Sequence, residues 1–503
     1  MANSAKRNDE NKTGLGIKIT LIAVAVLCVF MLVYTVVDSM GILDRNTTAM
    51  TVGEEEISVT ELNQYYHTTR NGFVNQYYDV LAMYGYDLTA GTFDNSYSLF
   101  DSTMTWKQYF MEEAKAAVQE VSLLAQEAKK AGYVMTEDDH AQFQVYMDSL
   151  KDAAESQDMS VSKYVKLLYG TGTKVSDVEE YYTERVYAAG YYKTVLEGFG
   201  IDDAAVEAYY NEHKEDYDVV EYYAYDVKYD TYTYSADSTE AGAPKSEDEA
   251  TAMTEASKQA AEKDAQALLN KLAADGSNFD ETVQSYEGSE TFAGHKEVTI
   301  ANASSALQTW LKEEGRKAGD KAVVADETNK AYTIIVYLGS HQSEEYTVAV
   351  RHTLLTTEAV SSTASDAEAQ EIEARNAQVK ADVDALYQEW VNGGATEEAF
   401  IQMAKDNSED SNASSGGLYT GVYMGQMVES FQNWCFDEAR QPGDHGIVET
   451  EYGYHIMYFV ENEGLKYLSD IKDTLQSQKY NEYLTGLTEV YETDINTKAV
   501  ERM

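Results

Sequence analysis

Gly443-Asp444-His445-Gly446-Ile447-Val448-Glu449-Thr450-Glu451-Tyr452-Gly453-Tyr454-His455-Ile456-Met457-Tyr458 reads as two short strands opened by a Gly-Asp pair, with eight residues separating Trp434 from that pair. The same arrangement occurs earlier. Eight residues separate Trp310 from Gly319-Asp320, a strand-like run follows at Lys321 to Ala325, and Tyr332-Thr333-Ile334-Ile335-Val336-Tyr337 closes it. Upstream, the strand pattern Tyr222 to Tyr229 matches one that begins at Tyr346 and runs towards Leu355. Each is followed by a polar stretch (Ser235 to Glu255, Thr357 to Glu371), a long helical pattern, and a helix led by Phe279 or Phe400. A shared order with identical Trp-to-Gly-Asp spacing predicts two tandem domains of one α+β fold, at 218–343 and 344–463.

Working outward, the chain before these repeats is helical. Thr48 to Ile57 reads as a hairpin turning at Gly53, and Ser58 with Glu61 forms an S-x-x-E box that opens a helix. Leu62, Tyr66, Phe73 and Tyr77 supply its apolar positions. A second helix starts near Trp106 and stops at Gly132, a third starts at Thr136 with Asp139, and more helices run from Ser160 to Tyr217. Residues 38–217 are therefore expected to form a helical region, and 464–503 a returning helix with Leu468, Ile471, Leu475, Tyr480, Leu484 and Leu487 on its stripe.

The N-terminus predicts a membrane anchor. Ile19 through Val37 is an uncharged, mostly apolar run of 19 residues, preceded by Lys6, Arg7, Lys12 and Lys18. That length crosses a bilayer, and the basic flank keeps residues 1–18 in the cytoplasm, with everything after Asp38 outside. A cleaved signal peptide is the competing reading, but no small-x-small site follows closely.

Composition excludes some functions. Net charge is −49, from 38 basic and 87 acidic residues. Nucleic acid is bound by neutralising phosphates with Lys and Arg, so it is not an expected partner. The eight histidines are scattered without H-E-x-x-H or C-x-x-C spacing, so no metal or other cofactor is expected. Cys28 and Cys435 give no disulfide framework.

The second repeat carries further landmarks: Val350-Arg351-His352-Thr353-Leu354-Leu355, Phe400 to Ala404, Ser408-Glu409-Asp410-Ser411, Gly416-Gly417, Gly425-Gln426-Met427-Val428 with Phe431, and Tyr452-Gly453-Tyr454-His455-Ile456. In this order they resemble the parvulin family of prolyl isomerases. The resemblance implies His352, Asp410 and His455 as catalytic residues, and Ser408, Tyr419, Gln426, Met427, Phe431 and Tyr452 as substrate-binding ones. Tyr419 departs from the family, which usually has Leu there. The first repeat lacks the machinery: Val227 or Lys228 falls where His352 would align, and Thr333 where His455 would.

The whole arrangement resembles SurA- and PrsA-like envelope foldases. That implies a peptidyl-prolyl isomerase and chaperone whose partners are unfolded or partly folded exported polypeptides with X–Pro bonds. The alternatives are a non-catalytic holdase and a structural or adhesive envelope protein. Thr353 through Ser365 contains no Lys or Arg, so no preference for a phosphorylated residue before proline is expected.

Overall fold

A computed structural model describes residues 40–503 apart from 89–90, 171, 238–241, 289–291 and 314. The apolar run Ile19–Val37 and Cys28 lie outside the described residues. Among those residues no helix is long and apolar enough to cross a membrane. The described residues form two compact units, one made of those up to Gly200 with Gln476–Met503, the other of those in Ile201–Leu475.

The first unit is built on helices with strong ends. Thr105 with Gln108 and Thr136 with Asp139 close reciprocal capping boxes, which satisfy helix N–H groups that have no partner within the helix. Gly132, at φ 70°, ends the helix Trp106–Ala131 in the left-handed conformation that favours glycine. Phe93, Trp106 and Phe110 stack at the centre of the core. Strands β1 (Thr48–Val52) and β2 (Glu55–Ser58) form the expected hairpin through Gly53, whose φ is 59°. Leu62 and Tyr66 on the helix Val59–Gln76 are buried, whereas Tyr77 lies past its end and is exposed. The C-terminal strand Thr493–Ile495 pairs with β1, a contact across the whole sequence that no local pattern announced.

The second unit holds two four-stranded antiparallel sheets. Their strands are β3 (Val219–Lys228), β4 (His295–Thr299), β5 (Lys321–Asp326) and β6 (Ala331–His341), then β7 (Tyr346–Thr356), β8 (Leu418–Val422), β9 (His445–Thr450) and β10 (Gly453–Leu465). The orders are β4-β3-β6-β5 and β8-β7-β10-β9, which is one topology twice. Each sheet packs long helices on one face, around Ile334 or Ile456. On the other face sits a short helix, Ser305–Leu311 beside Ile335 or Glu429–Cys435 beside Met457.

The likeness extends to detail. Gly319 N–H donates to Tyr337 O at 2.8 Å, as Gly443 N–H does to Phe459 O at 2.9 Å. A β-bulge follows at once in both sheets, at Leu338 and at Val460. The Arg316 guanidinium lies 3.4 Å from the Trp310 ring centre, and that of Arg440 4.0 Å from Trp434. Such a cation–π stack contributes roughly 0.5–1 kcal/mol near a surface and fixes the tryptophan ahead of the Gly-Asp turn.

This register corrects one alignment. Tyr337 corresponds to Phe459, hence Ile335 to Met457 and Thr333 to His455. Met457 pairs with His352, whereas Ile335 pairs with Ala224. The position equivalent to His352 is therefore Ala224, not Val227 or Lys228. Counting from the strand starts misses it, because the register is set across the sheet by the pairing with β6.

Candidate active site

His352 and His455 point to the same face of the second sheet because β7 and β10 pair antiparallel, with His352 opposite Met457 and His455 opposite Leu354. That makes the two histidines diagonal neighbours. Both are buried, at 1% and 5% exposure, and their Nδ1 atoms are 3.0 Å apart. One Nδ1 must donate and the other accept. His455 Nε2 lies 2.9 Å from Thr450 Oγ1, and His352 Nε2 lies 3.8 Å from Asp410 Oδ2. A carboxylate favours a proton on the nitrogen that faces it. The consistent assignment therefore runs Thr450 O–H to His455 Nε2, His455 Nδ1–H to His352 Nδ1, and His352 Nε2–H towards Asp410.

Neither imidazole is charged at neutral pH. Burial holds His352 below its usual range, against the opposing pull of Asp410. Burial, reinforced by His352, brings His455 down to about 4. Phe431 stands edge-on to both rings, at 5.5 and 5.4 Å, and Tyr419 stacks on His352 at 5.0 Å. Met427 is half-buried in the same cluster.

The Gly-Gly pair explains how Tyr419 gets there. Gly417 has φ 68°, and a Cβ on it would fall 2.0 Å from the His352 carbonyl oxygen. Only glycine lets this segment approach so closely and bond to His352 N–H at 2.8 Å. Tyr419 then reaches Asp410, its hydroxyl donating to Oδ1 at 3.0 Å, while burial and that carboxylate push the phenol up to about 12. Asn412 N–H donates to the same Asp410 oxygen at 3.0 Å. The departure from Leu thus adds a hydrogen bond that orients Asp410.

The other predicted residues divide. Ser408 Oγ accepts Leu354 N–H at 3.1 Å, and Glu409 N–H donates to Leu354 O at 2.8 Å, so this segment is clipped to β7 and carries Asp410 to the histidines. Gln426 is exposed, and its side chain accepts Tyr423 N–H in a turn. Tyr452 is 58% exposed at the β9–β10 turn. Thr450 was not anticipated, because its role depends on which strand residues face each other. Among the described residues the one group with metal-ligand geometry is Glu221, Glu297 and His341, in the first sheet, and it includes neither His352 nor His455.

At the equivalent place in the first sheet, Thr333 Oγ1 donates to Asp226 Oδ1 at 2.7 Å, and Leu307 replaces Phe431. The smaller Ala224 and Leu307 leave a cavity of about 560 Å³, which Tyr222, Asp226, Lys228 and Thr333 also line.

Residues 332–463 match the PPIC-type PPIASE domain. A foldase protein PrsA from Exiguobacterium sibiricum is 28% identical over 222 residues, 39% of this chain and 72% of that protein. The foldase protein PrsA of Bacillus subtilis is 38% identical over 100 residues, 19% of this chain and 32% of its own. The foldase protein PrsA 3 of Bacillus anthracis is 33% identical over 102 residues, 20% and 34%. The crystal structure of PrsA from Bacillus subtilis is 14% identical and covers 81% of this chain and 90% of that one, with a TM-score of 0.22, too low to carry any argument. Landmark order and sequence kinship converge: residues 332–463 match a PPIC-type prolyl isomerase domain, and the chain is similar to PrsA foldases.

Proposed function

We propose that the chain catalyses cis–trans isomerisation of X–Pro bonds in exported polypeptides, with the chemistry at His352, His455, Asp410 and Tyr419. Residues 38–217 and 464–503 handle the client, residues 344–463 act on the proline, and the run Ile19–Val37 anchors the chain with its bulk outside the membrane. The observation that carries the reading is the dry histidine pair, packed edge-on by Phe431 and bordered by Asp410.

The chemistry needs no covalent step. Rotation about an X–Pro bond must cross a barrier of roughly 18–20 kcal/mol that comes from amide resonance. The planar resonance form is charge-separated, and a desolvated pocket disfavours it. Phe431 and Met427 offer the proline ring an apolar seat. Among the described residues His352 Nε2 has no hydrogen-bond partner, and its ring lies against Phe431. Fixed groups of this kind stabilise the twisted amide without reorganising. A purely binding role leaves the pair unexplained, because the first sheet folds with Ala224 and Thr333 in its place.

A protease-coupled assay with an Ala-Pro peptide tests the activity, and absence of any rate above the uncatalysed one would defeat the reading. Protease added outside cells stripped of their wall tests the anchor: the isomerase domain should be digested, and its full protection would refute the orientation.

A further inference from the structure

We infer that the first unit holds a binding site for a basic side chain, the guanidinium or ammonium end of an Arg or Lys in an extended client polypeptide. The site is a cavity of about 920 Å³ walled by β2 and the helices Val59–Gln76, Trp106–Ala131 and Val175–Gly198. That the cation belongs to a client rests on the foldase reading.

Charge on the walls is unbalanced. Seven carboxylates line the cavity, against two bases. Both bases are already committed: Arg45 Nη1 lies 3.3 Å from Asp177 Oδ2 and donates to Gly172 O at 2.5 Å, and Lys129 Nζ lies 3.4 Å from Glu55 Oε1. Glu61 and Glu184 instead lie close enough to repel each other, and among the described residues neither has a base at ion-pair distance. Two buried carboxyls facing each other cannot both ionise without cost. Burial and this mutual repulsion push Glu61 up to about 8, while burial and Glu55 push Glu184 up to about 7.

A second observation points to a missing ligand. Gln64 lines the cavity at 1% exposure, and neither atom of its carboxamide has a hydrogen-bond partner. Glu184 Oε1 is likewise buried and unbonded. Buried polar groups are almost always satisfied, and unsatisfied ones call for an explanation. A guanidinium, with five N–H donors and no acceptor, would satisfy Gln64 Oε1, Glu184 and Glu61 together.

The shape favours a side chain over an ion. None of these carboxylates belongs to a group whose ligand atoms gather at metal-binding distance. The cavity exceeds the volume of one cation many times over. Tyr181, Met135 and Ala125 give its walls apolar surface, which suits the methylene stem of Lys or Arg while the charged end meets the carboxylates. The net charge of −49 draws basic segments towards the chain at long range.

The test uses the full chain and two labelled, proline-free peptides that differ only at a central position, Arg in one and its neutral isostere citrulline in the other. Fluorescence anisotropy should show the Arg peptide bound about tenfold more tightly, with the difference shrinking as salt rises. Glu61→Gln with Glu184→Gln should cut the preference below about twofold. Glu179→Lys with Glu180→Lys, both exposed on the rim and tolerant of substitution, should do the same without touching the core. Equal binding of the two peptides overturns the inference, as does a preference that survives both double variants. Displacement of the Arg peptide by spermidine at concentrations near the peptide's own Kd also overturns it, in favour of free polyamines. Isomerase activity on the same samples reports on the foldase reading separately, since its absence with the Arg preference intact would sink that reading alone.

Discussion

The two sheets of the second unit share strand order, the bulge at Leu338 and Val460, and an arginine laid over a tryptophan. At the central positions they part: one holds Ala224 and Thr333, the other His352 and His455. At these positions the first sheet satisfies its buried hydroxyl within the sheet, Thr333 to Asp226. The second buries two imidazoles in contact, depresses both their pKa values, and leaves His352 Nε2 without a hydrogen bond. That extra polar burial contributes nothing the scaffold requires. The difference teaches that the Trp, Gly-Asp and bulge serve the fold, while the histidines are dispensable to it, as the proposed catalytic role requires.

The largest effect expected from this contrast is on rate. His352→Ala should lower kcat/KM for an Ala-Pro peptide by about a hundredfold, the usual scale for losing a preorganised polar group at a reacting centre. Thr333→Ala in the first sheet should leave it unchanged. Because His352→Ala also opens space beside Phe431, rates should be normalised to the folded fraction by circular dichroism. Tyr419→Phe comes next. It removes one hydrogen bond to a charged group, worth about 1.5–3 kcal/mol, and should cost roughly tenfold in kcat/KM with unchanged far-UV circular dichroism.

A third change should move stability and not rate. Thr333→Val removes the hydroxyl that donates to Asp226 and should destabilise the protein by about 1–3 kcal/mol in urea denaturation, with isomerase activity intact. The smallest effect is with pH. Burial holds both imidazoles below the usual histidine range, so activity should vary by less than about twofold between pH 6.5 and 8. The sign for stability follows from the depressed values. Below the unfolded histidine pKa of about 6.5 the unfolded chain binds protons that the folded pair refuses, so the stability the pair retains at pH 7 is lost as pH falls towards 4. A rate rising several-fold through pH 6.5 would mean that an imidazole titrates during turnover.

How much of this was legible varied with how local the information was. The Trp-to-Gly-Asp spacing, the helix starts at Ser58 with Glu61 and at Thr136 with Asp139, and the Gly132 stop are set by neighbours in sequence, and they were readable. The partner of His352 in the first repeat was not, because Ala224 is fixed by its pairing with Ile335 more than a hundred residues away. The pairing of Thr493–Ile495 with β1 spans almost the whole chain and has no local signature. The site was legible in its residue types and not in its wiring. His352, His455, Asp410, Met427 and Phe431 cluster as expected, whereas Ser408 turned out to clip a segment to β7, and Gln426 and Tyr452 stand exposed. Tyr419 looked like a departure from the family. Its bond to Asp410 becomes visible only once Gly416 and Gly417, both at positive φ, fold the chain back on itself.

The central claim is that catalysis resides in the second sheet alone. Exchange NMR on an Ala-Pro peptide, with the full chain carrying Phe431→Ala and with one carrying the equivalent Leu307→Ala, tests it most directly. Both changes empty a comparable buried site on the equivalent short helix of each repeat, so both should cost stability, by about 2–5 kcal/mol. At a temperature where both remain folded, the account predicts that Phe431→Ala brings exchange close to the uncatalysed rate and that Leu307→Ala leaves it within about twofold of the unaltered chain. Comparable losses from the two changes, or full activity with Phe431→Ala, would contradict it.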